Sequence, residues 1–405
     1  MDALMLPSNW QRVRLGDIGI TISGLVGKTK QDFINGNAKY ITFLNVLNNV
    51  IIDTSILENV KIYPNEKQNS FKKYDLFFNT SSETPKEVGM CAVLLDDIDQ
   101  VFLNSFCFGF RIFDKAVDGL FLSYLINSEI GRKAFENLAQ GSTRYNLSKS
   151  GFNNVCLFLP PLNEQIAIAN ILSDLDRYLY ALRALILKKE GVKKALSFEL
   201  LSQRKRLKGF NQAWQRVKVK DFGIIITGST PLTQISEYWN GTISWITPTD
   251  INDNKDIFNS ERKITQKGLD TIRMIPKNSV LVTCIASIGK NAILRVNGAC
   301  NQQINAIIPN KDFNADFIYY LMENNKRYLL GKAGVTATYI ISKQVFEEID
   351  FFVPKDLNEQ IAIANILSAL DHEIISLKNK KRQFDNIKKA LNHDLMSAKI
   401  RVLKK

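Results

Sequence analysis

Apolar residues recur along two stretches of this chain with the spacing of a helix that buries one narrow stripe. In residues 161–208, Ile168, Leu175, Leu182 and Leu196 fall on multiples of seven, interleaved with Leu172, Leu179, Ile186, Leu200 and Leu207. In residues 356–405 the pattern reads Ile363, Leu370, Leu377, Phe384 and Leu391, with Leu367, Ile374, Leu395 and Val402 between them. This is an a/d heptad seam, twice. Pro160-Pro161 and Pro354 precede the seams, and Asn163 and Asn358, each followed by Glu, suit helix starts. Each helix is expected to run about 60–68 Å at ~1.5 Å per residue. Such a helix cannot bury its seam alone, and the only matching seam in the chain is the other one, so the two are expected to pair as a coiled coil. Lys189 and Lys193 with Gly191, and Lys381 and Lys388, interrupt the seams, which predicts a local loosening or a polar contact there.

Elsewhere the pattern changes period. Runs such as KYITFLNV, DLFFNTS, MCAVLLDD, TISWITP and NSVLVTCIAS read as short strands between Gly, Asn and Asp turns. Residues 121–139 and 317–333 read as amphipathic helices. The chain is therefore an α+β protein in four segments: a mixed α/β module at 1–160, a central helix at 161–208, a second module at 209–355 and a C-terminal helix at 356–405.

Those segments form a tandem duplication. LNEQIAIANILS stands at 162–173 and again, identical, at 357–368, an offset of 195. KKALSFELLSQRKRL (193–207) aligns with KKALNHDLMSAKIRV (388–402) at the same offset. WQRVRLGDIGITISG (10–24) matches WQRVKVKDFGIIITG (214–228), YITFLNVLNN (40–49) pairs loosely with WITPTDINDN (245–254), FLSYLINSE (121–129) with FIYYLMENN (317–325), and GSTRYNLSK (141–149) with GVTATYIISK (334–343). The helices match closely, whereas the modules match at their edges and differ in the middle. Two copies are too few for a solenoid. They suit a fused pseudo-dimer with an antiparallel helix pair and pseudo-twofold symmetry. Duplex DNA has local twofold symmetry and is read by paired modules about one helical turn, ~34 Å, apart. Modules that differ in their middles would read two different half-sites. A duplicated coiled-coil scaffold with no nucleic acid is the alternative that the repeat alone leaves open.

Composition narrows the field. With 405 residues and a hydrophobic fraction of 45%, the chain is long enough for two or more cores. No apolar run approaches a membrane span, and MDALMLPSNW has no signal-peptide pattern, so no membrane partner and a cytoplasmic location are expected. Cys91, Cys107, Cys156, Cys284 and Cys300 form no CxxC pair and read as buried reduced thiols. The net charge of +13 fits a polyanion, and nine of the excess positive charges fall in residues 161–208 and 356–405. Catalytic signatures are missing. No (N/D)PP(F/Y) tetrapeptide is present, and no AdoMet loop stands out. GLVGKTK (24–30) resembles the tail of a P-loop, but Ile22 stands where a glycine is needed. Glu261-Arg262-Lys263 is only a faint echo of a nuclease E-x-K, and His372 and His393 read as solvated helix residues.

The motifs PLNEQIAIANILSDLD, DLNEQIAIANILSALD, WQRVRLGDIG, GSTPLTQISEYWNGTISWITPTDI and GSTRYNLSK resemble those of specificity subunits of Type I restriction–modification systems, over nearly the whole chain. The resemblance implies two target recognition domains, each reading half of a bipartite asymmetric site in double-stranded DNA. It implies two helices that set the spacing and dock two methyltransferase subunits, with restriction/translocase subunits in the full complex. It implies a non-catalytic chain with no cofactor of its own, AdoMet, ATP and Mg being expected on the partner subunits. A specificity subunit of a related, non-Type I restriction system would share this design.

Base edges and phosphates are read by Arg, Lys, Asn, Gln, Ser, Thr and backbone groups. The candidates are therefore sought in module loops where the copies differ. In the first module they are Ser23, Lys28, Lys30, Asn79, Ser81, Ser82, Thr143, Arg144, Tyr145 and Asn146. In the second they are Ser229, Thr230, Thr233, Ser287, Lys290, Thr336, Thr338, Tyr339 and Lys343. Arg144-Tyr145 joins charge to a stacking ring, and its counterpart Thr338-Tyr339 lacks the charge. For partner docking, the helix starts offer Glu164, Gln165, Glu359 and Gln360.

Overall fold

The computed structural model describes residues 7–136, 138, 141, 144–252, 254–335 and 339–402. The chain divides into two compact units, Met1–Arg183 with Lys380–Lys405, and Ala184–Asn379. The long helices run Leu162–Leu201 and Leu357–Met396. Each unit thus holds one α+β module, the opening of one long helix and the closing part of the other.

In the first unit a four-stranded antiparallel sheet orders as Gly19–Ser23, Cys107–Ile112, Leu76–Asn79 and Cys91–Val93. Leu76, Phe77, Phe78 and Asn79 are all buried, so the strand is covered on both faces, as its unbroken apolar run implies. A three-stranded sheet sets Ala38–Ile41 between Glu58–Val60 and Val101–Leu103. Gln11–Arg14 pairs antiparallel with Cys156–Leu159, tying the module's first strand to its last. The second unit repeats the plan. Its larger sheet orders as Gly223–Thr227, Ile304–Pro309, Ser279–Thr283, Asn291–Leu294 and Asp256–Ile257. Its smaller sheet sets Trp239–Ile246 between Lys263–Ile264 and Gly298–Cys300, and Trp214–Lys218 pairs with Asp350–Pro354.

Local differences from the sequence reading have local causes. FLNV, the end of the run KYITFLNV read as a strand, instead opens a helix over Phe43–Asn48, because the Thr42 hydroxyl accepts the Asn45 N–H and caps it. The helix expected over 121–139 breaks into Gly119–Asn127 and Glu129–Glu136. At the break the Ser128 hydroxyl donates to the Leu125 carbonyl and accepts the Gly131 N–H. Ala315–Asn324 and Lys326–Leu330 repeat this split in the second unit.

The long helices complete the cores. Ile168, Ala169 and Leu172, with Leu395 and Met396, are buried in the first unit's main apolar cluster. Ile363, Ala364 and Leu367, with Leu200 and Leu201, hold the same places in the second. Within each unit the helix segments are antiparallel. In the first, Glu164 meets Arg401, Asp176 meets Lys388 and Tyr178 packs on Phe384. In the second, Arg206 meets Glu359, Lys193 meets Asp371 and Lys189 meets Glu373. The lysines Lys189, Lys193 and Lys388 interrupt the seam because they reach carboxylates on the other helix. Lys381 instead pairs with Asp385 on its own helix.

Cys91, Cys107, Cys284 and Cys300 are buried, and burial pushes the Cys284 and Cys300 thiols up to about 12; Cys156 is half-buried. Among the described residues no helix is long and apolar enough to cross a membrane.

Candidate nucleic-acid interface

The repeated LNEQ segment is an internal clamp. Glu164 and Gln165 are 2% and 1% exposed, and Glu359 and Gln360 are 1% and 0%. Arg401 Nε and Nη2 donate to the two Glu164 oxygens at 2.6 and 2.8 Å. Arg206 grips Glu359 the same way at 3.2 and 2.8 Å, and Trp214 Nε1 adds a third donor at 3.3 Å. Gln165 Nε2 donates to the Pro160 carbonyl at 2.8 Å and the Ala116 carbonyl at 3.0 Å, and its Oε1 accepts the Asp118 N–H at 2.9 Å. Gln360 does likewise with the Pro354 and Asp312 carbonyls and the Asn314 N–H. Asp118 and Asn314 are the N-caps of the module helices, so each glutamine fastens a module helix to a long helix. The expectation that these four side chains dock a partner is corrected: their polar atoms are spent inside the fold. A second clamp lies further along. Tyr124 donates to Asp176 at 2.6 Å, Tyr320 donates to Asp371 at 2.6 Å, and Lys388 and Lys193 pair with those carboxylates. Burial, then the aspartate, holds both phenols above the usual tyrosine range.

Several candidate DNA contacts also prove to be internal. The Lys28 side chain is 5% exposed; it pairs with Glu66 and lies 5.2 Å from the Tyr63 ring centre. Asn79 is fully buried, donating to the Ser81 and Glu87 carbonyls and accepting the Met90 N–H. Ser81 and Ser82 are buried in a ladder with Asn146 and Tyr145, and the Ser82 hydroxyl donates to Glu87. A DNA-reading role for the side chains of Lys28, Asn79, Ser81 and Ser82 is therefore corrected to a structural one: Lys28, Asn79 and Ser82 are desolvated and satisfied, and Ser81 is buried in the ladder.

What remains accessible is grouped. In the first module that ladder carries Arg144, exposed and 5.8 Å from the ring centre of the exposed Phe106, beside exposed Asn146 and half-buried Tyr145. Ser23 accepts a bond from Lys149 at 2.8 Å, and Lys30 is exposed nearby in sequence. In the second module Tyr339 is exposed, its carbonyl accepting the Ala286 N–H beside half-buried Ser287. Thr230 donates to Gln302, Lys290 and Thr233 are exposed, Ser229 is half-buried, and Lys343 forms an exposed i,i+4 pair with Glu347. Thr143, Thr336 and Thr338 lie outside the described residues.

Trp239, Trp245 and Arg262 stand outside the loop candidates above. The Arg262 guanidinium lies 4.2 Å from the Trp239 ring centre and 4.9 Å from that of Trp245. The available signal was the aromatic pair in EYWNGTISW; its partner Arg262 stands 17 residues after Trp245, just before the strand Lys263–Ile264.

Comparison with known proteins agrees with this duplicated plan. The family model described as Type I restriction modification DNA specificity domain matches residues 7–189 and again 211–384. The Type I restriction enzyme MjaIX specificity subunit of Methanocaldococcus jannaschii is 36% identical over 176 residues, 42% of this chain and 40% of that protein. The HindI specificity subunit of Haemophilus influenzae is 26% identical over 176 residues, 42% and 38% of the two chains. This chain's match thus spans about two fifths of those relatives. The putative MjaX specificity subunit of M. jannaschii aligns at 25% identity over 98% of this chain and 95% of its own. Among solved structures, the Type I S subunit from M. genitalium has a TM-score of 0.64 at 16% identity, covering 98% of this chain and 99% of that one. The HsdS subunit from Thermoanaerobacter tengcongensis has a TM-score of 0.51 at 17% identity, covering 98% of each chain. These two share its fold. By the family model's two matches, over well more than half of its length, the chain belongs to the Type I restriction modification DNA specificity family and carries that domain twice.

Proposed function

We propose that this chain is the sequence-reading subunit of a Type I restriction–modification complex. Each module reads one half of a bipartite asymmetric site in double-stranded DNA. The observation that carries the reading is the doubled specificity domain, with alike clamps and unlike loops. The clamps hold each module on its helix segments, while the accessible groups that can meet DNA sit in loops that differ: Arg144, Tyr145 and Asn146 in one module, Tyr339 and Thr233 in the other. Two unlike readers on one chain give an asymmetric target.

Chemistry is assigned to partners. Two methyltransferase subunits would bring AdoMet and methylate adenine, and restriction/translocase subunits would bring ATP and Mg. Since Glu164, Gln165, Glu359 and Gln360 are buried, docking falls to apolar groups the helices leave outside the seam, such as Ile166 and Tyr180 in the first unit and Leu187 and Ile375 in the second. The test is adenine methylome sequencing of cells with and without this chain, its partners present. Loss of one bipartite methylated motif is expected; an unchanged methylome in a host whose partner methyltransferase is active would overturn the reading.

A further inference from the structure

The two modules differ most tellingly at one aromatic pair. In the second module Trp239 and Trp245 meet edge-on, ring centres 5.1 Å apart at 88°. Both indoles are fixed: Trp239 Nε1 donates to the Leu232 carbonyl at 3.2 Å and Trp245 Nε1 to the Ser229 carbonyl at 3.0 Å. In the first module Phe33 and Tyr40 meet in the same way, at 5.0 Å and 60°. The residue opposite the strand aromatic is different. Tyr40 faces Glu58 across the ladder and donates to its carboxylate at 2.8 Å. Trp245 faces Arg262, whose carbonyl accepts the Trp245 N–H at 3.2 Å and whose guanidinium lies over both indoles.

Arg262 is exposed, and among the described residues its guanidinium meets no carboxylate and no hydrogen-bond acceptor. Two nearby acids are occupied: Glu237 pairs with Lys267 at 2.6 Å, and Asp250 accepts from Thr247 and from the Glu261 N–H; the Glu261 side chain stands exposed and forms no ion pair with Arg262. The guanidinium borders a groove of about 600 Å³ whose rim also carries Thr233, Ser236, Asn240, Glu261 and Lys263. The corresponding groove of the first module, about 410 Å³, presents Thr29, Gln31, Asp32, Lys61 and Tyr63. There the Thr29 backbone and hydroxyl, then Tyr63, hold the Asp32 carboxyl below its ordinary range, and Lys28 is neutralised by Glu66. One groove bears an arginine seated on two indoles; in the other Asp32 and Lys28 are bonded within the module, and Lys61 carries no aromatic seat among the described residues.

We propose that Arg262, seated on Trp239 and Trp245, is a DNA-phosphate contact of the second module that the first module lacks. This rests on the DNA-recognition reading above. A guanidinium seated in the corner of two indoles, with no hydrogen bond of its own there, keeps N–H groups free, and these match phosphate oxygens. Lying across two indoles also uses up the reach that insertion into a base groove would need. Hydroxyls and a lysine beside it complete the usual donor set for a nucleic-acid backbone.

The test uses the full chain and a fluorescein-labelled mixed-sequence duplex, with anisotropy read across a salt series. Arg262→Ala and Arg262→Gln are each expected to weaken binding about 5- to 10-fold at ~0.1 M salt, and to flatten the plot of log affinity against log salt by about 1. The glutamine variant keeps a planar group over the indoles, so its loss reports charge, and unchanged circular dichroism shows the fold intact. Wild-type affinity and slope in both variants would overturn the inference while leaving DNA recognition standing. A loss confined to one duplex sequence would also overturn it, by making Arg262 a base reader. Failure of the wild-type chain to bind any duplex would instead sink the DNA reading itself.

Discussion

The two units carry the same clamp with one unequal part. In each, an arginine near the end of one long helix grips the buried glutamate at the start of the other. In the second unit Trp214 Nε1 joins the grip on Glu359. Its counterpart Trp10 has a buried Nε1 with no bonding partner among the described residues. A buried indole N–H left unpaired costs roughly 1–3 kcal/mol, so the first unit holds by the weaker version of one device. Residues that match between the copies bind the fold together, and those that drift change what the fold can touch.

Breaking the clamp should give the largest effect. Glu359→Ala strips an acceptor from both Arg206 and Trp214 and is expected to cost about 3 kcal/mol, the low end for a broken buried pair because Arg206 is partly in water. Glu164→Ala should cost less, about 2 kcal/mol, since only Arg401 loses its partner. Urea unfolding monitored by fluorescence compares them, and equal losses would erase the distinction between the units. Next in size is Arg144→Ala, expected to cost about 1–3 kcal/mol of discrimination at one half-site. Methylome sequencing should then show one half of the motif relaxed and the other intact; a uniform fall in methylation would make Arg144 a phosphate contact.

Smaller effects test the second clamp, which is alike in both units. Tyr124→Phe and Tyr320→Phe each remove one hydrogen bond to an aspartate and should cost about 1.5 kcal/mol, equally in both. The folded phenols are raised above the ordinary value of 10. Their contribution is therefore fully present below about pH 10 and is lost as the pH rises toward the folded values. Alkaline unfolding of the wild type should show that loss, and the double phenylalanine variant should show less of it. Smallest is Gly191→Ala. Gly191 lies within the first long helix, and a Cβ there meets nothing within 4 Å. A gain of about 0.5–1 kcal/mol is expected, read as a higher denaturant midpoint.

Periodicity and repetition made much of the fold legible in the sequence. The seam residues Ile168, Leu172, Ile363 and Leu367 are buried as their spacing requires, and the long helices begin at Leu162 and Leu357, just after the prolines. Side-chain destinations were less readable. An acid or amide in a first helical turn is ordinarily solvated, so Glu164 and Gln165 looked available, and the arginine that buries Glu164 lies 237 residues away. A sign existed, because Arg206 and Arg401 occupy matching positions of the repeat. Lys28 looked like a basic loop residue until folding brought Glu66 to it, and Asn79 and Ser81 looked like turn polarity although they stitch a buried strand edge. Local pattern reports which residues prefer water; it does not report which distant partner will replace that water.

Each core is closed by pieces of both long helices, and this sets an order of assembly. The second unit is a continuous stretch, Ala184–Asn379, and its clamp joins residues 153 apart. The first unit cannot finish its core until Leu395 and Met396 have left the ribosome, and its clamp spans 237 residues. Synthesis runs from the N-terminus, so the module made first is the one completed last, and it waits with an apolar face exposed while the rest of the chain is built.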